Sequence, residues 1–231
     1  MLEFHEDREG NLWVATAKGL DCFRDLRVSS FSTHEGLSAD AVDSVLASRD
    51  GTIWIGNASK LDVLGPGGMP SQAGNALQGH QVTSILEDRI GRLWAGIDNT
   101  LTIYQGRRFR QIKRQDGSPV GVVTGMTEDS ENNIWVETMG PPWTLLRIQD
   151  QKVRETFPAP QMPLARKIAA DPQSGIWLGL LNGDLARYRS GKTEIFPYTH
   201  HPGSRVNELI AASDGSILGT LTGGATTFPA M

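Results

Sequence analysis

A tryptophan phrase returning every 40 to 42 residues constrains this 231-residue chain more than any other feature. It first reads EDREGNLWVAT around Trp13. It recurs as SRDGTIWIGN, EDRIGRLWAGI, EDSENNIWVET and ADPQSGIWLGL around Trp54, Trp94, Trp135 and Trp177. A sixth copy, AASDGSILGTL, has Leu218 in the tryptophan's place, so the anchors stand 41, 40, 41, 42 and 41 residues apart. A fixed period of this length marks an array of supersecondary units, each unable to bury its apolar face alone.

Each unit reads as four short strands. Strand one is a brief apolar segment carrying Phe4, Val45, Ile85, Met126, Ile168 and Leu209, nine residues before each anchor. A turn follows at Glu9-Gly10, Asp50-Gly51, Ile90-Gly91, Glu131-Asn132 and Asp214-Gly215, mostly residues that tolerate left-handed backbone. Strand two holds the anchor between apolar neighbours such as Ile53 and Ile55 or Ile134 and Val136. Side chains alternate faces along a strand, so strand two is buried on both faces. Strand three follows in GLDCFRD, TLTIYQG and TLLRIQD. A polar and aromatic strand four follows in RVSSFST, RRFRQIK and KVRETFP, and GPGGMPSQAGNALQ makes it poor in the second unit.

The pattern predicts an all-β fold, a β-propeller of six blade units of about 41 residues, each with four antiparallel strands and the last incomplete. The expected organisation is one domain over residues 1–231, with units at about 1–41, 42–81, 82–122, 123–164, 165–205 and 206–231. The tryptophans are expected to pack between blades. Met1 aligns with the start of strand one, and GGATTFPAM supplies only a third strand. The expectation is therefore a segment of a longer array, or a six-bladed ring with a weak seam at which an unpaired strand edge invites self-association.

Composition narrows the partners. The net charge of −4 argues against a nucleic-acid partner, which calls for a basic surplus or stripe. The basic run GRRFRQIKR (106–114) alternates as an exposed outer strand does, and charge on an edge strand discourages aggregation. No apolar run reaches the roughly 18 residues that a membrane helix needs. The N-terminal MLEFHEDREG lacks the apolar region of a signal peptide. Cys22 is the only cysteine and reads as a small core residue.

The stretch FSTHEGLSADAVDSVLASRDGTIWIG resembles the two-component regulator propeller repeat, found in the sensor region of bacterial histidine kinases and hybrid two-component regulators. The GLS turn, the apolar first strand, the acidic turn with glycine and the Trp-Ile-Gly strand come in the family's order. The resemblance implies a location outside the cytoplasmic membrane, in the periplasm of the parent protein, and a role as a non-enzymatic sensor segment. Its motif residues are scaffold, so it transfers no ligand set. Streptogramin lyase-like propellers share the Gly-x-Ile-Trp strand and imply an enzyme instead; a purely structural scaffold is the third reading.

Ligand sites are expected on the loops between strands two and three and between strand four and the next strand one, because loops on a rigid scaffold carry function. The candidate ligand-binding residues there are His34, His80, Asn99, Trp143, His200, His201 and Arg205. Trp143 departs from the repeat and sits in the loop TMGPPWT, longer than its counterparts, where an aromatic ring can hold a carbohydrate-like small molecule or a partner side chain. The histidines lack the spacing that brings three or four ligands to one ion. No nucleophile elbow or phosphate loop occurs. No catalytic residue, metal or cofactor is therefore assigned. Asp7, Asp88, Asp129 and Asp171 recur six residues before the anchor, as turn-stabilising acids.

Overall fold

The computed structural model describes residues 3–24, 27–65, 70–72, 80–105, 108–140, 143–158, 162–163, 165–197, 205–212, 216–221 and 224–228. Its sheets follow the sequence period. The first blade comprises β1 (Glu3–Glu6), β2 (Leu12–Thr16), β3 (Gly19–Arg24) and β4 (Arg27–Phe31). The second comprises β5 (Val42–Ala47), β6 (Ile53–Asn57), β7 (Leu61–Leu64) and β8 (Pro70–Gln72). The third has β9 (Val82–Glu87), β10 (Leu93–Ile97), β11 (Thr100–Gln105) and β12 (Arg108–Ile112). The fourth has β13 (Val122–Glu128), β14 (Ile134–Met139), β15 (Thr144–Gln149) and β16 (Lys152–Pro158). The fifth has β17 (Ala165–Ala170), β18 (Ile176–Leu180), β19 (Leu185–Arg189) and β20 (Lys192–Phe196). The sixth has β21 (Val206–Ala211), β22 (Ile217–Leu221) and β23 (Gly224–Phe228), three strands among the described residues.

Strands pair antiparallel with their chain neighbours in every sheet, which is the architecture of propeller blades. β8 is only three residues long, as the glycines and prolines around it require. The basic segment forms β12, the outer strand of its sheet, with Arg108 and Arg110 exposed and Phe109 packed 4.7 Å from Tyr104. Among the described residues the one helical element is a 3₁₀ turn at Thr33–Glu35.

The chain forms two compact units, Met1–Gln111 with the first three blades and Ile112–Met231 with the other three. Within the first, β5 packs on β1 and β2, and β9 on β5 and β6. Within the second, β17 packs on β13 and β14, and β21 on β17 and β18. Strand one of a blade thus lies against strands one and two of the blade before it. This explains why strand two is apolar on both faces: all five positions of β10 and of β18 are buried. Cys22 is buried too, and that burial pushes its thiol up, so it stays protonated and inert.

The turn before strand two is built from one recurring pattern. The Asp7 N–H donates to the Asn11 carbonyl, and the Gly10 N–H to that of Asp7. The same pair of bonds joins Ser48, Asp88 and Asp129 to their turns. The last turn residue is left-handed at Gly10, Gly51, Gly91 and Asn132, as a three-residue hairpin loop ending in a glycine bulge demands. Asp214-Gly215 lie outside the described residues.

The recurring aspartate does more than hold its turn. One oxygen of Asp129 accepts the backbone N–H groups of Glu131 and Asn133, both at 2.9 Å. The other accepts the Trp135 indole Nε1–H at 2.7 Å. Trp13 donates to Asp7 and Trp94 to Asp88 in the same way, each at 2.8 Å. An aromatic from strand four then covers the ring, Phe31 on Trp13, Phe157 on Trp135 and Phe196 on Trp177. The fifth blade varies the theme: Arg187 Nε donates to Asp171 at 2.6 Å and its guanidinium stands 5.3 Å from the Trp177 ring centre.

Trp13, Trp94, Trp135 and Trp177 are accordingly at most 5% exposed. The second blade has Ser48 in the aspartate's place, and its Trp54 is only half-buried. The sixth has Ala212 and Leu218, and Leu218 is 43% exposed. Acid and indole degrade together, as a hydrogen-bonded pair should. At Asp7 burial pushes the carboxyl up, but the bonds from Trp13, Asn11 and Glu9 together outweigh it and hold the group below the ordinary carboxylate range.

Candidate functional site

In the first unit, the loop residues proposed from sequence are largely tied into the scaffold. His34 is exposed on the Thr33–Glu35 turn. Its neighbour Glu35 closes a capping box, accepting the Ser32 N–H at 2.8 Å and the Ser32 hydroxyl at 2.6 Å. Those bonds, side chain first, hold the Glu35 carboxyl below its usual range, so it is an ionised cap and a poor base. Asp40 accepts the Thr33 N–H, and Ser38 anchors the loop to buried Asp62 through its N–H at 2.8 Å and its hydroxyl at 2.6 Å. Asn57 donates to the same carboxylate.

His80 lies 2.6 Å from Asp98, which begins the β10–β11 turn and also accepts the Gln81 N–H. Asn99 is the exposed second residue of that turn, so His80 and Asn99 share one locality. Gln81 reaches back to Asp43 of the second blade at 2.8 Å. These polar groups fasten one loop to the next hairpin, at a well-solvated surface.

The second unit holds a cleft beside one of these residues. Trp143 is half-buried and lines a shallow cleft of about 20 Å³, open to solvent, between the fourth and fifth blades. Leu145, Phe157, Met162, Pro163, Ala165 and Leu178 wall it, and Glu137 supplies its one charged group. Arg205 is exposed just before β21 and is absent from the walls. His200 and His201 lie outside the described residues.

Sequence reasoning singled out Trp143 and missed Glu137. Two residues after each anchor stand Ala15, Gly56, Gly96, Glu137, Gly179 and Thr220. In the second and fifth blades this position faces strand one of the following blade. A Cβ on Gly56 would lie 2.7 Å from the Val82 carbonyl oxygen, and one on Gly179 would lie 2.5 Å from Val206 Cγ1. At the junction of the fourth and fifth blades the valine is replaced by Ala165, and that smaller residue accompanies the large acid. Glu137 is only 3% exposed. An acid in a column otherwise of small residues was the signal.

A mostly apolar cleft with one placed polar group is the general form of a small-molecule site. No group of three or more His, Cys, Asp or Glu side chains able to hold a metal ion occurs among the described residues. No helix among them is long and apolar enough to cross a membrane.

Residues 76–99 match the family model described as two component regulator propeller. No curated protein matches the sequence. Among solved structures, the chain is similar to one described as the extracellular domain of a hybrid two component system from B. thetaiotaomicron, with a TM-score of 0.79 and 16% identity over 98% of this chain and 32% of that one. A second such domain from B. thetaiotaomicron gives 0.78 at 19% identity, over 99% of this chain and 31% of that one. A streptogramin B lyase is also similar, with 0.78 at 14% identity over 97% of this chain and 77% of that one. At such identities the likeness is one of fold, shared by sensor regions and lyases. By its sheets and by that repeat, the chain is a β-propeller carrying the two component regulator propeller motif.

Proposed function

We propose that the chain is a non-enzymatic, ligand-binding segment of the extracytoplasmic sensor region of a bacterial two component regulator, and that the Trp143 cleft takes its ligand. The observation that carries this reading is the buried Glu137 carboxylate facing an otherwise apolar cleft roofed by a loop tryptophan. The walls favour an apolar or aromatic body over a sugar ring, and Glu137 favours a ligand whose polar end is an amine or hydroxyl donor. The two component repeat and the likeness to extracellular sensor domains supply the context.

A direct test titrates phenethylamine, tryptamine and benzyl alcohol against the protein and follows heteronuclear NMR shifts. Saturable binding of at least one, lost in Trp143→Ala and weakened about tenfold or more in Glu137→Gln, is expected; tenfold corresponds to about 1.4 kcal/mol. Equal binding to Trp143→Ala, or chemical turnover of a bound compound, would contradict the reading.

A further inference from the structure

The first unit carries a cleft of its own, of about 270 Å³ and open to solvent, between the second and third blades. Trp54 and Asp50 line it from the second blade, and Glu87, Ile90, Arg92 and Tyr104 from the third. Trp54 is half-buried, and it lacks the partners that the other repeat tryptophans have.

Comparison between blades shows what is missing. Trp13, Trp94 and Trp135 each donate the indole N–H to an aspartate, and Ser48 stands in that place before Trp54. Phe31, Phe157 and Phe196 cover Trp13, Trp135 and Trp177 from the fourth strand of the same blade. Between Leu64 and Val82, the stretch that includes β8, the sequence has no Phe, Tyr or Trp. Tyr104 of the third blade meets Trp54 in a T-shaped contact, with ring centres 5.8 Å apart. The rest of the ring is left to the cleft.

Two other anchors show what such a ring takes. The Arg92 guanidinium stands 5.5 Å from the Trp94 ring centre while its Nε donates to Asp88 at 2.5 Å. Arg187 stands 5.3 Å from that of Trp177 and donates to Asp171 at 2.6 Å. Each time a flat cation lies on the anchor and is held by a carboxylate. The second blade has lost both arginine positions. Thr52 stands two residues before Trp54, where Arg92 stands before Trp94, and Val63 pairs with Trp54 as Arg187 pairs with Trp177. Nearby Arg49 turns its terminal nitrogens to the carbonyls of Asp88 and Arg89 instead. The carboxylates remain: Asp50 Oδ1 accepts the Thr52 N–H and Glu87 Oε2 the Arg49 N–H, each at 2.9 Å, so each acid keeps a second oxygen for a ligand.

We propose that this cleft binds a guanidinium group from outside the chain, which takes on Trp54 the place that Arg92 and Arg187 take on their own anchors. The planar cation lies on the Trp54 ring, and its N–H fork donates to Glu87 and Asp50 at the rim. The charge of Arg92 is already matched by Asp88, so the two acids leave the walls net negative and favour a cation over an anion. Ile90 is 75% exposed and offers apolar surface to an aliphatic stem such as that of an arginine side chain. The group can come from an arginine of a peptide or from a small free guanidinium compound. The site lies in the other unit from the Trp143 cleft and does not depend on it.

The test titrates N-acetyl-arginine-N-methylamide and ethylguanidinium into the whole chain, with N-acetyl-lysine-N-methylamide and glucose as comparison probes, and follows the Trp54 indole by NMR. Both guanidinium probes should give saturable shifts there. Tighter binding of the arginine diamide identifies a peptide as the source, and equal binding a small guanidinium compound. Glu87→Gln, which keeps an acceptor for the Arg49 N–H but removes the charge, should weaken binding about tenfold or more. Val63→Arg, which offers Trp54 an arginine of the chain's own at the position of Arg187, should compete with the probes and weaken them similarly. Trp143→Ala should leave binding unchanged. Absence of shifts at tens of millimolar, equal affinity for the lysine diamide or glucose, or undiminished binding to Glu87→Gln would overturn the proposal.

Discussion

Truncating Trp135 to alanine lowers the free energy of unfolding of the second unit by about 3–5 kcal/mol, the range for deleting a large buried aromatic. The ring is 2% exposed and packs among Leu145, Met162, Ile168 and Leu178, so its loss opens a void between the fourth and fifth blades. It also removes the stacking on Phe157 and the edge contact to Tyr188. Urea denaturation read by far-ultraviolet circular dichroism measures the change. Trp54→Ala should cost clearly less, because that ring is half-buried and stands beside a serine.

Asp129→Ala is expected to be nearly as damaging, at about 3 kcal/mol or more, although it deletes little apolar surface. The carboxylate accepts four hydrogen bonds: two backbone N–H groups, the Asn133 amide and the Trp135 indole. Removing a buried acceptor leaves donors unsatisfied, at about 1–3 kcal/mol apiece, and the losses within one network are not additive. The same denaturation experiment reads it. A loss under about 1 kcal/mol would mean the turn can re-form its bonds to water.

The fold was legible because its cause is periodic. Each blade repeats the same buried strand, and one register of anchors located strand one at Val42, Val82, Ala165 and Val206, where β5, β9, β17 and β21 begin. The weak fourth strand of the second blade was visible in its glycines and prolines. What the period hid was the second role of the aspartate. Its spacing of six residues from the tryptophan read as a turn device. The bond to the indole depends on the bulge that brings the carboxylate beside strand two.

The candidate site was legible only in part. Trp143 stood out because it breaks the repeat, and Glu137 stands out once its column is known to face the next blade. The ties made by His34's turn and by His80 were not visible in the residue types. His34 neighbours a capping acid and His80 pairs with Asp98 in a loop tie, roles that arise from contacts between segments and not from residue type.

Indole hydrogen exchange, followed by NMR on nitrogen-15-labelled protein, tests most directly the claim that an aspartate–tryptophan bond locks the first, third and fourth blades. Exchange of a buried, bonded N–H requires local opening, so its rate reports the stability of that lock. The Nε1–H groups of Trp13, Trp94 and Trp135 should exchange far more slowly than those of Trp54, which has Ser48 in the acid's place, and Trp143, which sits in a loop. Exchange at Trp135 as fast as at Trp54 or Trp143 would contradict the account.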